Sequence, residues 1–273
     1  MNFIRSVTAF VLTIAVAAPT AAGEADVAGA LSAAANGSHR SAENIARNRY
    51  RHPVETLTFF GIRPAMTVVE IYPGGGGWYT EVLAPFLRDQ GRLVAASYDT
   101  ASPVEYFRVN AAKYLDKLKA RPDIYDRVEV IEFAPPAKAS LGPDGSADMV
   151  LTFRNVHNWI EAGNEAQVFT AMFRVLKPGG VLGLVEHRGN PDMVGKAWAE
   201  KGYVAEAEVI RLAEVAGFKL AGKSEINANP KDTKDHPKGV WTLPPTLELG
   251  EQDRDKYLAI GESDRMTLRF VKP

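Results

Sequence analysis

Two periods of hydrophobic and polar residues alternate along this chain. Short apolar runs at 67–71, 92–97, 127–133, 148–152 and 181–186 are rich in Val, Ile and Leu and bounded by turn residues, which predicts strands. Between them, 78–87, 104–118, 165–176 and 204–216 carry apolar residues at helical spacing, as in Val82, Leu83 and Phe86. Lys177-Pro178-Gly179-Gly180 predicts a sharp helix stop. Gly217 closes the next helix, Phe218 starts a further strand, and 266–271 alternates as a final one. Strands alternating with helices imply a mostly parallel sheet covered on both faces, and the apolar central runs suit that double burial. The expectation is one open, doubly wound α/β domain over 24–273. Residues 41–60 form a helical cover broken at Pro53, and the alanine-rich stretch 25–35 a loose or helical leader. Residues 227–245, rich in Asn, Pro, Asp and Lys, are long for a connection. That makes them a lid, a binding loop or a disordered insert.

Composition narrows this picture little. The 273 residues fit one domain large enough to bury its own core. A formal net charge of -1 gives no electrostatic case for nucleic acid as a partner. With no cysteine, disulfides and thiolate nucleophiles are excluded. The N-terminus changes more. Arg5, an uncharged apolar run at 7–18, and then Pro19-Thr20-Ala21-Ala22-Gly23 follow the order of a secretory signal peptide. The run is short for a bilayer span. The expectation is a signal peptide over 1–23, cleavage near Ala22, and a periplasmic or secreted protein without stable membrane insertion; an uncleaved anchor is the alternative.

The densest chemical signal is Val68-Val69-Glu70-Ile71-Tyr72-Pro73-Gly74-Gly75-Gly76-Gly77-Trp78-Tyr79-Thr80. A strand, an acid, a glycine run and a helix lie in order at the edge where open α/β sheets bind ligands. A tight turn alone does not need four consecutive glycines, each costing backbone entropy. A dinucleotide fingerprint would place its third glycine at Tyr79 or Thr80, so it fails, and a phosphate loop's Gly-Lys-Ser/Thr is absent.

The loop resembles motif I of class I S-adenosylmethionine-dependent methyltransferases. Asp148-Met149-Val150-Leu151, Leu176-Lys177-Pro178-Gly179-Gly180-Val181-Leu182, Ala216-Gly217-Phe218 and the alternating last strand resemble the family's later strands in order. The whole chain is similar to a group of bacterial methyltransferases carrying signal peptides. That similarity rests on Pro-Gly-Gly-Gly with Trp78-Tyr79-Thr80-Glu81, on Phe153-Arg154-Asn155-Val156-His157-Asn158-Trp159, and on Glu186-His187-Arg188. The resemblance implies S-adenosylmethionine as cofactor and a small-molecule acceptor. It puts Glu70, Gly74, Gly75 and Gly76 at the methionine end, Asp99 at the ribose and Glu132 on the adenosine side. Asn155, His157 and Asn158 fall where cofactor and acceptor contacts are made, with His157 as base or acceptor contact. Two positions depart from the pattern: Tyr72 replaces the usual first glycine, and Ser97 the acid that ends the second strand. Beyond the resemblance, His187 and Arg188 end a strand at the same face, and Arg188 suits an anion. The resemblance implies an N-terminal helix over the acceptor pocket, which makes Tyr50 and His52 acceptor contacts, or else part of a solvated basic segment; Trp241 is a lid residue or packs its loop down. Asp232, Asp235 and His236 have no recognised metal spacing, so no metal is expected and a solvated loop is. The alternatives are a ligand-binding module repurposed from the fold and a nicotinamide-dependent oxidoreductase.

Overall fold

A computed structural model describes residues 21–273, with side chains from Asp26 onward. The expected signal segment lies outside the described residues up to position 20. The described helix Ala21–Ala35 contains the expected cleavage point.

The strands are β1 (Thr67–Ile71), β2 (Arg92–Ser97), β3 (Val128–Glu132), β4 (Ala147–Phe153), β5 (Leu176–Gly189), β6 (Val204–Ala205), β7 (Lys219–Ser224) and β8 (Arg265–Val271). Seven run in the order β3-β2-β1-β4-β5-β8-β7, and β6 pairs with β5. The first five are parallel to their neighbours, while β8 is antiparallel to β5 and β7. Chain order reverses between β1 and β4, which opens a crevice above their carboxyl ends. Neighbouring residues of β1 face opposite layers, as a period of two requires. Val69 and Ile71 join Phe169, Met172, Leu182 and Leu268, and Val68 joins Leu57, Phe60, Leu83 and Leu151.

The structure departs from the sequence reading in three places. First, β5 starts at Leu176, not 181, because Leu176 pairs with Ala147 across a register shift. The expected stop becomes a bulge in which Gly179 adopts φ 78. Second, residues expected as loop form the helix Val156–Ala162. Its first N–H groups are satisfied by a carboxylate on β5, Glu186, which accepts from Val156 N at 2.5 Å and His157 N at 3.3 Å. Third, the 227–245 segment is packed, not solvated. Asn229 Nδ2 donates to Ile260 O at 2.9 Å and Glu262 O at 2.7 Å. Asp232, 3% exposed, accepts from Tyr203 Oη and His236 Nε2 at 2.9 Å and from Asp264 N at 2.8 Å. Those bonds occupy two of the three residues considered as ligands, Asp232 and His236, and Asp235 stays exposed.

Candidate functional site

A cavity of about 730 Å³ lies over the ends of β1 and β4. Its first half is built by the glycine loop. Tyr72 adopts φ 47 and Gly74 φ 68, left-handed values that favour glycine. Tyr72, standing at the position of the usual glycine, offsets that strain by stacking on Tyr98 at 4.5 Å, and Tyr98 stacks on Phe107 at 4.9 Å. Of the glycine run, Gly74 reaches the cavity wall, and a Cβ added there meets nothing within 4 Å. Gly75 instead faces a helix: its N–H donates to Asn110 Oδ1 at 3.2 Å, and a Cβ would lie 2.7 Å from that oxygen. Gly76 is exposed off the wall.

Glu70 sits beneath the loop, 2% exposed, and Thr80 Oγ1 donates to its Oε2 at 2.6 Å. Burial raises its carboxyl from 4.5 to about 7. An acid whose folded pKa is raised favours the native state while protonated. That contribution is present below about 4.5 and lost as pH rises to about 7. Glu70→Gln, which does not titrate, is therefore expected to gain on the wild type by about 3 kcal/mol between pH 4.5 and pH 8. Urea denaturation at the two pH values checks this, and a constant difference between the proteins contradicts it.

At the end of β2, Asp99 lines the cavity. Its Oδ1 accepts from Ala101 N at 2.9 Å and pairs with Lys138 Nζ at 2.9 Å. Glu132 lies off the wall, where Lys138 and Thr100 hold its carboxyl down at about 2. The one lysine thus ties the ends of β2 and β3 together.

The second half of the cavity follows β4. Phe153 stacks on Tyr79. Asn155 Nδ2 donates to Ile71 O and to Thr152 Oγ1, both at 3.1 Å, bracing β4 against β1 at the wall. His157 and Asn158 lie on the first turn of the helix and line the same wall. His157 Nδ1 is 3.0 Å from Glu186 Oε1, and Glu186 is fully buried. The carboxylate accepting at Nδ1 leaves Nε2 as the basic nitrogen. His187 is also on the wall, with Nδ1 2.5 Å from Ser263 Oγ. Burial, then the charges of His157 and Arg154, push it well below its ordinary value, so it is neutral near pH 7. Ligand atoms of His157, Glu186 and His187 lie within 4.8 Å of one another, close enough to consider a metal. Glu186, however, already accepts from Val156 N, His157 N, His187 N and His157 Nδ1, which spends the carboxylate on orienting His157. The roof comes from the 227–245 segment: Val240, Trp241, Pro244 and Pro245 line the cavity, and Trp241 meets His157 edge-on at 5.6 Å.

Three residues singled out for the acceptor side also stand off the wall. Arg188 is spent on Glu225 at 2.7 Å and Asp264 at 2.9 Å. Tyr50 Oη accepts from Arg49 at 2.8 Å. His52 takes φ 38 before Pro53. Arg51, between them, is the residue of the helical cover that reaches the cavity. It joins a cluster that sequence reasoning missed. Glu262, 4% exposed, pairs with Arg47 at 2.8 Å, Arg51 at 2.9 Å and Arg265 at 3.0 Å. These arginines, Arg51 first, hold its carboxyl down at about 2 against the cost of burial. Arg154, with φ 63, also lines the cavity. Its position inside the quoted run 153–159 was the available signal. Glu262 and Arg265 carried none, since one lies in the short turn before β8 and the other is that strand's first residue.

Neither a protein-family model nor a curated protein matches this chain. Solved structures do. An S-adenosylmethionine-dependent methyltransferase from Aquifex aeolicus matches with a TM-score of 0.53 at 17% identity, over 84% of this chain and 93% of that one. The [4+2]-cyclase SpnF matches with a TM-score of 0.57 at 17% identity, over 92% and 96%. An S-adenosylmethionine-dependent methyltransferase from Methanosarcina mazei matches with 0.51 at 12% identity, over 79% and 96%. At these identities the likeness is one of fold: the chain has the Rossmann-like methyltransferase fold.

Proposed function

We propose that the protein is an S-adenosylmethionine-dependent methyltransferase acting on a small-molecule acceptor. The observation that carries this reading is a single cavity walled by Gly74 and Asp99 on one side and by the Glu186-oriented His157 on the other. The residues present fit the cofactor. The space over Gly74 is open to a ligand approaching the backbone, and Asp99 stands on the wall where its carboxylate would hold a ribose hydroxyl. When bound, the cofactor supplies an electrophilic methyl group.

The chain's own residues do the rest. His157 Nε2 takes the acceptor's proton, and Glu186 stabilises the imidazolium that forms. Trp241, Pro244 and Pro245 close the acceptor side and exclude water. Holding the reactants in line supplies much of the acceleration. A second reading, a binding module repurposed from the fold, is favoured by Tyr72 stacked on Tyr98 beside a β2 that ends in Ser97. Fold does not fix function, and the cyclase among the similar structures carries this fold under another activity's name. The broken glycine fingerprint keeps a nicotinamide-dependent oxidoreductase behind both. We further propose export, on the order of Arg5, apolar run and small residues. Among the described residues no helix is long and apolar enough to cross a membrane.

The test is transfer of label from methyl-tritiated S-adenosylmethionine into a small-molecule extract. The methyltransferase reading expects label in an acceptor fraction. Binding of cofactor without transfer supports the repurposed module.

A further inference from the structure

We propose that the acceptor side of the cavity holds a carboxylate or phosphate group on Arg154, so that the acceptor is an anion. The word acceptor rests on the methyltransferase reading; the anion site does not.

Arg154 lines the cavity, and among the described residues its guanidinium has neither a hydrogen-bond nor an ion-pair partner. Its surroundings make matters worse for a cation. Burial and the nearby charge of Arg265 lower its pKa to about 10. Arg47, Arg51 and Arg265 already share the one carboxylate within reach, Glu262. Four guanidiniums therefore stand against one carboxylate. The other buried acids nearby are spent. Glu186 accepts from backbone N–H groups and His157, and Asp264 pairs with Arg188 and Lys234. His187 is neutral and adds no compensating charge. Holding a half-buried, unpaired cation beside like charges is costly, and the backbone that presents it is left-handed, at φ 63. Such an arrangement persists where it serves a ligand. A guanidinium offers a planar fork of donors suited to the paired oxygens of a carboxylate or phosphate.

The sheet order says which ligand brings that anion. Gly74 follows β1 and Asp99 follows β2, on one side of the switch point. Arg154 follows β4, and around it Glu262 and Arg265 lie at the start of β8 while Arg51 comes from the helical cover; β4 and β8 stand on the other side. His157 lies three residues further along the same segment. An anion on Arg154 therefore belongs to the molecule presented to His157. The cofactor's own carboxylate is the other source of the same chemistry, and the experiment separates the two.

Inorganic phosphate and benzoate are titrated into the purified protein and into Arg154→Gln, followed by thermal shift and by NMR. S-adenosylhomocysteine and 5′-methylthioadenosine, which lacks the amino-acid part, are titrated in parallel. Losing the fork is expected to weaken at least one anion about tenfold or more, with both nucleosides within about twofold. Arg154→Lys keeps the charge without the fork and is expected to fall between. Circular dichroism checks that the variants fold. Equal anion binding to wild type and Arg154→Gln overturns the proposal. So does a loss of S-adenosylhomocysteine affinity with 5′-methylthioadenosine unchanged, which would assign the guanidinium to the cofactor. Failure of both nucleosides to bind would sink the methyltransferase reading, while the anion titration would still decide the site.

Discussion

Glu262→Ala is expected to lose about 3–5 kcal/mol of stability at pH 7, the cost of removing one partner from a buried ion pair. The side chain is 4% exposed, and its loss leaves Arg47, Arg51 and Arg265 facing one another without an anion. The pH dependence carries a second signature. A carboxyl held at about 2 in the native state, against an ordinary 4.5, stabilises the fold above about 4.5. That contribution is lost as pH falls toward about 2. The wild type should therefore weaken through this window more steeply than the variant. Guanidinium chloride denaturation between pH 2.5 and pH 7 reads both effects. Adding Arg154→Gln to Glu262→Ala is expected to restore part of the loss, because removing one unpaired cation relieves the others. Coupling of this kind is what a double-mutant cycle measures. Strict additivity would mean that Arg154 does not share the field of the cluster.

His157→Asn is expected to lower kcat by about 10²–10⁴-fold, the usual range for a positioned base, with S-adenosylhomocysteine affinity within about twofold. Asparagine keeps a donor for Glu186 Oε1 but presents no basic nitrogen to the cavity. Glu186→Gln is expected to slow transfer as well, because an amide has no charge to stabilise the imidazolium and only one oxygen to share between the helix N–H groups and His157 Nδ1. Initial rates of label transfer, with binding measured separately, distinguish the two effects. Unchanged turnover in His157→Asn would mean that the acceptor needs no base and that alignment alone carries the reaction.

The main strands of the sheet and their order along the chain were legible because apolar runs and turn residues are local signals. β5 was cut short because Lys177-Pro178-Gly179-Gly180 reads as a stop. What carries the strand through is a pair of bonds from the chain's far end, Gly179 N to Lys272 O at 2.8 Å and Lys272 N to Gly180 O at 2.9 Å. The helix Val156–Ala162 was missed for a related reason: its cap is Glu186 on another strand. The 227–245 segment reads as solvated from its composition, but Asn229 and Asp232 are polar because they satisfy backbone groups of Ile260, Glu262 and Asp264 and the hydroxyl of Tyr203.

In the site, His157 and Asn155 were recognisable from the motif that contains them, and the structure sets both on the cavity wall. Arg154 lies in the same motif, but its meaning depends on Arg51, Glu262 and Arg265, which the fold alone brings together. The resemblance puts Gly74, Gly75 and Gly76 together at the methionine end, whereas the turn aims Gly74 at the cavity and Gly75 at Asn110. A Gly75 substitution would thus report on helix packing and not on ligand binding.

Calorimetric titration with S-adenosylhomocysteine, set beside NAD, tests the central claim most directly. The account predicts one site per chain for S-adenosylhomocysteine and none for NAD. It also predicts loss of that site in Gly74→Val, whose side chain enters the open space over the loop, with circular dichroism confirming a folded variant. Binding of NAD in place of S-adenosylhomocysteine, or binding of neither, would contradict it.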